Sequence, residues 1–155
     1  MAGITSILLT GVLAAGCADA GDKAMADATD RARDAANELK HTFELRVGRA
    51  ADRRSAYDTL LTYLPRYTPQ RGGLLLRSGL TADQAWFDVN VVKTATASDG
   101  FGSGSRTVRL CAHIVVEIPA GRPRTSSITD LNCPSYLPKS DPQLGTIDKV
   151  VRLAT

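Results

Sequence analysis

Alternating apolar and polar residues mark a strand near the middle of the chain. Residues 106–118 read RTVRLCAHIVVEI, and every second residue from Val108 to Ile118 is apolar. A repeat of two puts these side chains on one face of a strand and the polar ones between them on the other face. The pattern predicts the central strand of a small antiparallel sheet.

Similar segments on either side predict the neighbouring strands of a β-meander. Residues 86–95 alternate in the same way, and residues 125–133 follow a turn that is rich in proline and glycine. Residues 74–76 are a candidate for a short strand, and residues 146–154 fit either a last strand or a docked tail. The sheet is therefore expected to hold three to four strands.

The connection between the first two long strands looks open. The serines and glycines of residues 98–105 predict a loose hairpin loop. A register that sets Val91 opposite Ile114 and Val89 opposite Val116 would unite the apolar faces of the two strands. The other face of the same pair then carries the polar side chains.

Upstream of the strands, the apolar residues recur at intervals of three and four, which is typical of amphipathic helices. The pattern predicts either two helices, at residues 22–47 and 49–64, or one helix that is kinked near Gly48. The first part has a narrow apolar stripe, and we expect it to serve partly as a stalk. The apolar positions of this part are Met25, Ala28, Ala32, Ala35, Ala36, Leu39 and Phe43.

Helices followed by antiparallel strands predict an α+β fold, with the helical stripe laid across the apolar face of the sheet. The arrangement resembles cystatin-like and NTF2-like domains, a resemblance that implies a helix on a curved sheet and no particular function. With 155 residues and 43% hydrophobic content, the chain has room for one domain, which we assign to residues 22–155. The net charge of +3 is spread along the chain, so no nucleic-acid partner is predicted.

The N-terminus carries an apolar segment, residues 4–15, that is too short to span a bilayer. It has the length of the core of a secretory signal peptide. The sequence Leu13-Ala14-Ala15-Gly16-Cys17 ends it and resembles the lipobox of bacterial lipoproteins. The resemblance implies a signal peptide at residues 1–16, acylation of Cys17 and a short tether at residues 17–21.

A protein processed in this way is anchored by lipid to the extracytoplasmic face of the cell membrane. We therefore expect a non-catalytic domain that binds or scaffolds an envelope protein or polymer, with the membrane as a partner through the acylated cysteine. Two plainer interpretations remain open. One is a soluble secreted protein with an ordinary signal peptide, and the other is a buried N-terminal helix with an incidental cysteine.

Three cysteines are present, and lipidation of Cys17 leaves Cys111 and Cys133 as one pair. A hairpin centred on Arg122 would place these two opposite each other, which favours a disulfide in an oxidising compartment. Two separate buried thiols are the alternative. Two cysteines so spaced, with only two histidines in the chain, lack the clustering of metal ligands, so neither a metal nor another cofactor is predicted.

The polar face of the predicted sheet carries the ionisable residues that come closest to a catalytic set. Asp88 is expected near Glu117, and two carboxylates can supply an acid and a base. Arg109 and His113 lie further along, but His113 and Glu117 are about 13 Å apart on one strand, too far for contact. A small envelope hydrolase is thus the alternative function. A salt-bridged surface is the preferred interpretation, and no catalytic residue is assigned.

A second group of charges lies in the helical region. Arg46, Arg49 and Arg53 are spaced three and four apart and would share one face of a continuous helix. Such a stripe near a lipid anchor could contact anionic headgroups or a cell-wall polymer. The preferred interpretation is a solvated face, because acidic residues such as Glu44 and Asp52 lie close to it in the sequence.

Overall fold

Two helices pack against one face of a curled mixed sheet, and a disulfide fastens part of the chain to the other face. The structure is a computed structural model that describes residues 19–47, 50, 52–100, 102–117 and 125–153. The predicted α+β class is confirmed. The helices are α1 (Ala20–Val47) and α2 (Arg53–Tyr63), and the strands are β1 (Leu75–Leu80), β2 (Gln84–Asp99), β3 (Gly102–Glu117), β4 (Thr125–Asp130), β5 (Ser140–Asp141), β6 (Gly145–Thr146) and β7 (Lys149–Val151).

The main sheet has the order β1-β2-β3, and two strands share the remaining edge of β3. β4 pairs with residues 112–117 of β3 in antiparallel fashion. β7 pairs with residues 108–110 of β3 in parallel. Of the two options for residues 146–154, a strand is therefore the one that forms, and it makes the sheet mixed. β5 and β6 form a separate two-stranded sheet.

The β2–β3 hairpin is longer and tighter than its composition suggests. The ladder extends to the pair Asp99 and Gly102, so the loose loop predicted for residues 98–105 is wrong. One glycine of this stretch, Gly104, has a different role. A Cβ atom on Gly104 would lie only 2.9 Å from the backbone nitrogen of Gly21, so glycine here allows α1 to approach the hairpin closely.

The register of this hairpin also differs from the prediction. Val91 lies opposite Leu110, four residues away from the predicted partner Ile114, and Val89 lies opposite Ala112. The shift follows from the position of the turn, because the pair Asp99 and Gly102 sets the turn two residues earlier than the predicted register requires. Because four is an even number, the apolar faces of the two strands still coincide.

α1 crosses the inner face of the sheet, so the predicted stalk is wrong. Asp19 caps the helix, because its Oδ1 accepts from the N–H of Asp22 at 2.9 Å. The N–H of Ala20 donates to Oδ2 of Asp99 in the hairpin at 3.1 Å, so the helix begins inside the predicted tether of residues 17–21. Small side chains along one stripe let the helix lie close to the sheet. The fully buried residues of α1 are Ala24, Ala28, Ala32, Ala36, Phe43 and Val47.

Aromatic rings join both helices to β2. α2 begins after Asp52, whose Oδ1 accepts from the N–H of Ser55 at 2.9 Å. Tyr57 of α2 packs on Phe87 with 5.7 Å between ring centroids, and Phe43 of α1 meets the same ring edge-on at 5.0 Å.

Within the described ranges, neither helix combines the length and the hydropathy that crossing a membrane requires.

The predicted disulfide between Cys111 and Cys133 is confirmed, with a Cα–Cα separation of 5.2 Å. Its position in the fold differs from the prediction. β4 ends at Asp130, and the residue whose N–H donates to the carbonyl of Cys111, at 3.1 Å, is Leu131. Cys133 therefore belongs to the chain beyond β4, residues 132–148, here called the covering segment. The disulfide fastens this segment to the outer face of the sheet.

Candidate functional site

The outer face of the sheet, opposite the helices, carries two clusters of polar residues, each centred on a buried charge. Successive side chains of a strand point to opposite faces. Phe87 and Val89 of β2 face the helices, so Asp88 and Asn90 lie on the outer face. One group, here called the open cluster, faces solvent, and the other, here called the covered cluster, lies against the covering segment. The open cluster consists of Arg77, Trp86, Asp88 and His113, and the covered cluster consists of Tyr67, Asn90, Arg109 and Asp141.

Asp88 is the centre of the open cluster, and its side chain is only 2% exposed. The register places it between Arg77 of β1 and His113 of β3. Arg77 donates to Oδ2 of Asp88 from Nη2 at 2.6 Å and from Nε at 2.9 Å, and Nδ1 of His113 lies 2.7 Å from Oδ1. Both carboxylate oxygens thus have close partners, as a buried charge requires.

Trp86 covers one side of this cluster. Its indole lies so close over the backbone of Gly79 that a Cβ atom at that position would collide with the ring. The centroid of the indole lies 5.9 Å from that of the His113 ring. Glycine at position 79 is therefore required by this contact. The sole tryptophan of the chain forms an aromatic surface beside a histidine and an exposed arginine.

The carboxylate pair predicted from Asp88 and Glu117 does not assemble. Glu117 lies opposite Gln84 at the end of the ladder, and its Oε2 accepts from Oγ1 of Thr125 at 3.2 Å. Asp88 instead pairs with His113, whose side chain is 35% exposed. A carboxylate can orient a histidine as a general base. Among the described residues, however, His113 makes no hydrogen bond to a serine, threonine or cysteine that could serve as a nucleophile.

Arg109 is the centre of the covered cluster and is 3% exposed. Its Nη1 donates to the carbonyl oxygen of Pro138 at 2.6 Å. Nε and Nη2, which form the other edge of the guanidinium, are buried and have no hydrogen-bond partner among the described residues. No carboxylate of the described residues lies within 4 Å of this side chain. A buried positive charge is therefore left with a single polar partner.

Two ionisable neighbours act on Arg109 electrostatically. Burial lowers the pKa of Arg109, while Tyr67 and Asp141 act in the opposite direction, and the guanidinium stays charged at neutral pH. Burial also raises the pKa of Tyr67, whose hydroxyl has no hydrogen-bond partner within the described ranges. Asp141 uses Oδ1 to accept from the N–H groups of Gln143 and Leu144, at 2.9 and 3.0 Å. Its carboxylate thus stabilises a turn of the covering segment.

Two cavities adjoin the covered cluster. The larger, of about 280 Å³, lies between β3, β7 and the covering segment and has Arg109 in its wall. The smaller, of about 160 Å³, is lined by Asn90 and Asp141 among others. Asn90 donates from Nδ2 to the carbonyl of Gly73 at 3.3 Å, while its Oδ1 has no hydrogen-bond partner in the described chain. The covered cluster therefore lies beside two cavities, but its unpaired polar atoms are closed off from them.

The arginines predicted to form a stripe belong to two separate helices. Arg46 lies near the end of α1 and Arg53 begins α2, whereas Arg49 lies outside the described residues. The guanidinium of Arg46 lies 4.0 Å from the centre of the Tyr63 ring, a cation–π contact that joins the ends of the two helices. Contact of these arginines with an anionic surface stays a prediction.

Cys17 also lies outside the described residues, so its lipidation stays a prediction too.

Sequence reasoning did not identify three residues of these clusters. Arg77 could have been found, since extending the predicted short strand at residues 74–76 by one residue places it beside Asp88. Tyr67 and Asp141 lie in segments without regular periodicity. No sequence signal relates those two to Arg109.

The chain offers no ready comparison and no evident metal centre. Comparisons with protein-family models, with curated proteins and with solved structures find no match. In the part of the chain that the structure describes, no group of three or more His, Cys, Asp or Glu side chains could hold a metal ion. The two clusters are therefore interpreted from their own chemistry.

Proposed function

We propose that this protein is a lipid-anchored extracytoplasmic domain of the bacterial cell envelope that binds or scaffolds an envelope component without catalysis. The observation that carries the proposal is the Cys111–Cys133 disulfide, because such bonds persist mainly in oxidising compartments. The lipobox-like sequence that ends at Cys17 supplies the means of anchoring.

Lipidation would bring one end of the domain to the bilayer. α1 begins at Ala20, three residues after Cys17, and three residues span at most about 10 Å. The backbone of Ala20 is hydrogen-bonded to Asp99 at the end of the β2–β3 hairpin. An acylated Cys17 would therefore hold the end of this hairpin close to the membrane surface.

The opposite end of the domain would then face the envelope. Trp86 lies thirteen residues from Asp99 along β2, which corresponds to about 43 Å in a strand. Arg46 lies about 39 Å from Ala20 along α1. In this orientation Arg46 and the open cluster meet a polymer or protein of the envelope instead of lipid headgroups. An indole beside hydrogen-bonding side chains suits a sugar polymer, whose rings present both C–H faces and hydroxyls.

The mass of the intact protein extracted from membranes tests the anchor. We expect a chain that starts at Cys17, carries acyl groups and has lost two hydrogens through the disulfide. Cys17→Ser should move the protein from the detergent phase to the aqueous phase in phase partitioning. Cys111→Ser is the matched control, because it removes a different cysteine and should leave the protein in the detergent phase.

Two outcomes would contradict the anchor in different ways. A full-length chain with reduced thiols, recovered from the cytosol, would overturn the whole proposal. A cleaved but unacylated chain in the medium would support the soluble secreted protein instead.

A small envelope hydrolase is the second candidate, favoured by one observation. His113 and Asp88 lie 2.7 Å apart on a solvent-accessible face, so the imidazole could activate a water molecule. If the protein hydrolyses ester or glycoside substrates, His113→Gln should abolish turnover while Glu117→Gln, as the control, leaves it unchanged. A wild-type protein without measurable turnover on such substrates would support the binding function.

A further inference from the structure

Arg109 presents an unpaired hydrogen-bonding edge inside the protein. Its Nη1 donates to the carbonyl of Pro138 at 2.6 Å, but Nε and Nη2 are closed off from solvent and have no partner in the part of the chain that the structure describes. These two nitrogens lie on the same edge of the guanidinium and carry parallel N–H groups. Such a fork binds both oxygens of a carboxylate. Asp88 is paired with Arg77, a side chain of opposite charge. Arg109 has no such partner of opposite charge among the described residues.

The charged neighbours do not complete the pair. Asp141 acts on Arg109 electrostatically, but it lies beyond 4 Å and its Oδ1 accepts two backbone N–H groups of its own turn. Asp148 is likewise engaged, since its Oδ2 accepts from the N–H of Thr107 at 2.7 Å. The hydroxyl of Tyr67 is a further buried donor without a partner. Within the described residues, the fork edge therefore has no internal acceptor.

The cavity beside Arg109 has the size and lining for a small acid. Its volume of about 280 Å³ is near the lower limit for sites that hold small organic molecules. Lys139 and Lys149 also line it, so three cations face the single carboxylate of Asp148, and an anion is favoured. The apolar part of the wall suits a short hydrocarbon stem. That part consists of Pro134, Leu137, Pro138, Ile147 and Val150.

We propose that Arg109 and this cavity bind the carboxylate of a small monocarboxylic acid, with Nε and Nη2 as the two donors. Because both nitrogens are closed off from solvent, the ligand reaches them when the covering segment moves aside. Leu137 and Asp141 are the only buried residues of that segment, so its movement exposes little apolar surface. The site does not depend on the lipid anchor, so either proposal can fail without the other.

Thermal unfolding of the oxidised full chain in detergent tests the site, with sodium propionate as the probe. Sodium chloride at equal ionic strength gives the baseline. A carboxylate held by one fork and a short stem is expected to bind with Kd of about 1 to 10 mM. At ten times that Kd, propionate should raise Tm by about 3 to 6 °C over chloride. Sodium phosphate should give no rise over chloride, because it lacks the apolar stem.

Arg109→Lys keeps the charge and removes the fork, so it should weaken propionate binding about tenfold or more. Arg77→Lys is the matched control, since it makes the same change in the open cluster and should leave the propionate effect intact. An equal rise in Tm for wild type and Arg109→Lys would overturn the proposal. A rise with phosphate as large as that with propionate would overturn it as well.

Nuclear magnetic resonance of the wild-type protein provides a readout that does not depend on a variant that folds. The Nε–H resonance of Arg109 should shift as propionate is added, because a carboxylate replaces an empty edge at that atom. The Nε–H resonance of Arg77, already bonded to Asp88, should stay in place. An Arg109 resonance that does not respond to propionate would exclude the fork as the binding group.

Discussion

The open and covered clusters each centre on a buried charge of the outer face, but only one of the two charges is fully paired. Asp88 has Arg77 on one oxygen and His113 on the other. Arg109 has one carbonyl on Nη1, and no described residue is hydrogen-bonded to its remaining edge. Burial alone therefore does not distinguish a structural charge from a binding one. The difference lies in whether the protein itself supplies the partners.

The origin of the partners explains the difference. Arg77 and His113 come from strands on either side of Asp88, and the ladder fixes their distance from it. The neighbours of Arg109 on the outer face come from the covering segment and from the loop that holds Tyr67, neither of which is bound to the sheet by a long ladder. A ladder of strands holds neighbouring side chains at fixed distances, so Asp88 is certain to meet Arg77 and His113. A segment without such a ladder does not fix its side chains beside Arg109 in this way.

The largest effect is expected from the double substitution Cys111→Ser, Cys133→Ser. The bond closes a loop across 22 residues, so its loss should lower the free energy of unfolding by about 3 kcal/mol. Urea unfolding measures this loss. Amide hydrogen exchange should become faster in the covering segment and stay slow in the open cluster. Cys17→Ser is the control and should change neither the free energy of unfolding nor the exchange rates. Equal quickening in both clusters would contradict the separation of the two.

The second largest loss of stability is expected from Asp88→Asn, because this substitution removes the charge that pairs with Arg77 and His113 in the open cluster. Removal of the buried carboxylate charge weakens its bonds to Arg77 and His113, and we expect a loss of about 1 to 3 kcal/mol. The lower part of that range applies to the Arg77 contact, since that side chain is 62% exposed and screened by water. Asp58→Asn, which weakens an exposed helical ion pair with Arg54, should cost less than about 0.5 kcal/mol in the same urea assay.

Arg109→Met should have an effect of the opposite sign. The substitution removes a desolvated charge and leaves only the carbonyl of Pro138 without its partner, so stability should stay equal or rise by up to about 1 kcal/mol. Urea unfolding side by side with Asp88→Asn provides the measurement. A loss as large as that of Asp88→Asn would mean that the covered cluster is complete without a ligand.

Tyr67→Phe should have the smallest effect, and it depends on pH. Burial raises the pKa of Tyr67, so above about pH 10 the unfolded chain releases this proton while the folded chain keeps it. Stability should therefore fall with rising pH in that range. Tyr67→Phe should reduce this alkaline loss and change stability at pH 7 by less than about 1 kcal/mol. Thermal unfolding between pH 8 and 11 tests this, with Tyr63→Phe at an exposed position as the control.

The faces of the strands could be predicted, whereas their register could not. A period of two decides which side chains share a face, and it is read from consecutive residues such as those around Val89 and Val91. The register depends on where the turn lies, and the glycines before Arg106 favoured a loop. Gly104 is instead needed for the approach of α1, a contact with Gly21 that lies far away in the sequence.

The disulfide could likewise be predicted from the sequence, whereas the covered cluster could not. Cys111 and Cys133 could be paired by elimination, and the pair forms even though Cys133 lies beyond the end of β4. Tyr67 and Asp141 could not be linked to Arg109, because they lie in irregular chain on opposite sides of it in the sequence. Only the folded arrangement brings the three together.

Three features could be read from the order of the amino acids: the α+β class, the inward and outward sides of β2 and β3, and the Cys111–Cys133 disulfide. Each of these depends on local periodicity or on the small number of residues that can take part. Three others emerge only when the chain is folded: the register of β2 and β3, the packing of α1 along its length, and the edge of Arg109 to which no described residue is hydrogen-bonded. Those features depend on contacts between distant segments, and no local pattern encodes which distant groups will meet.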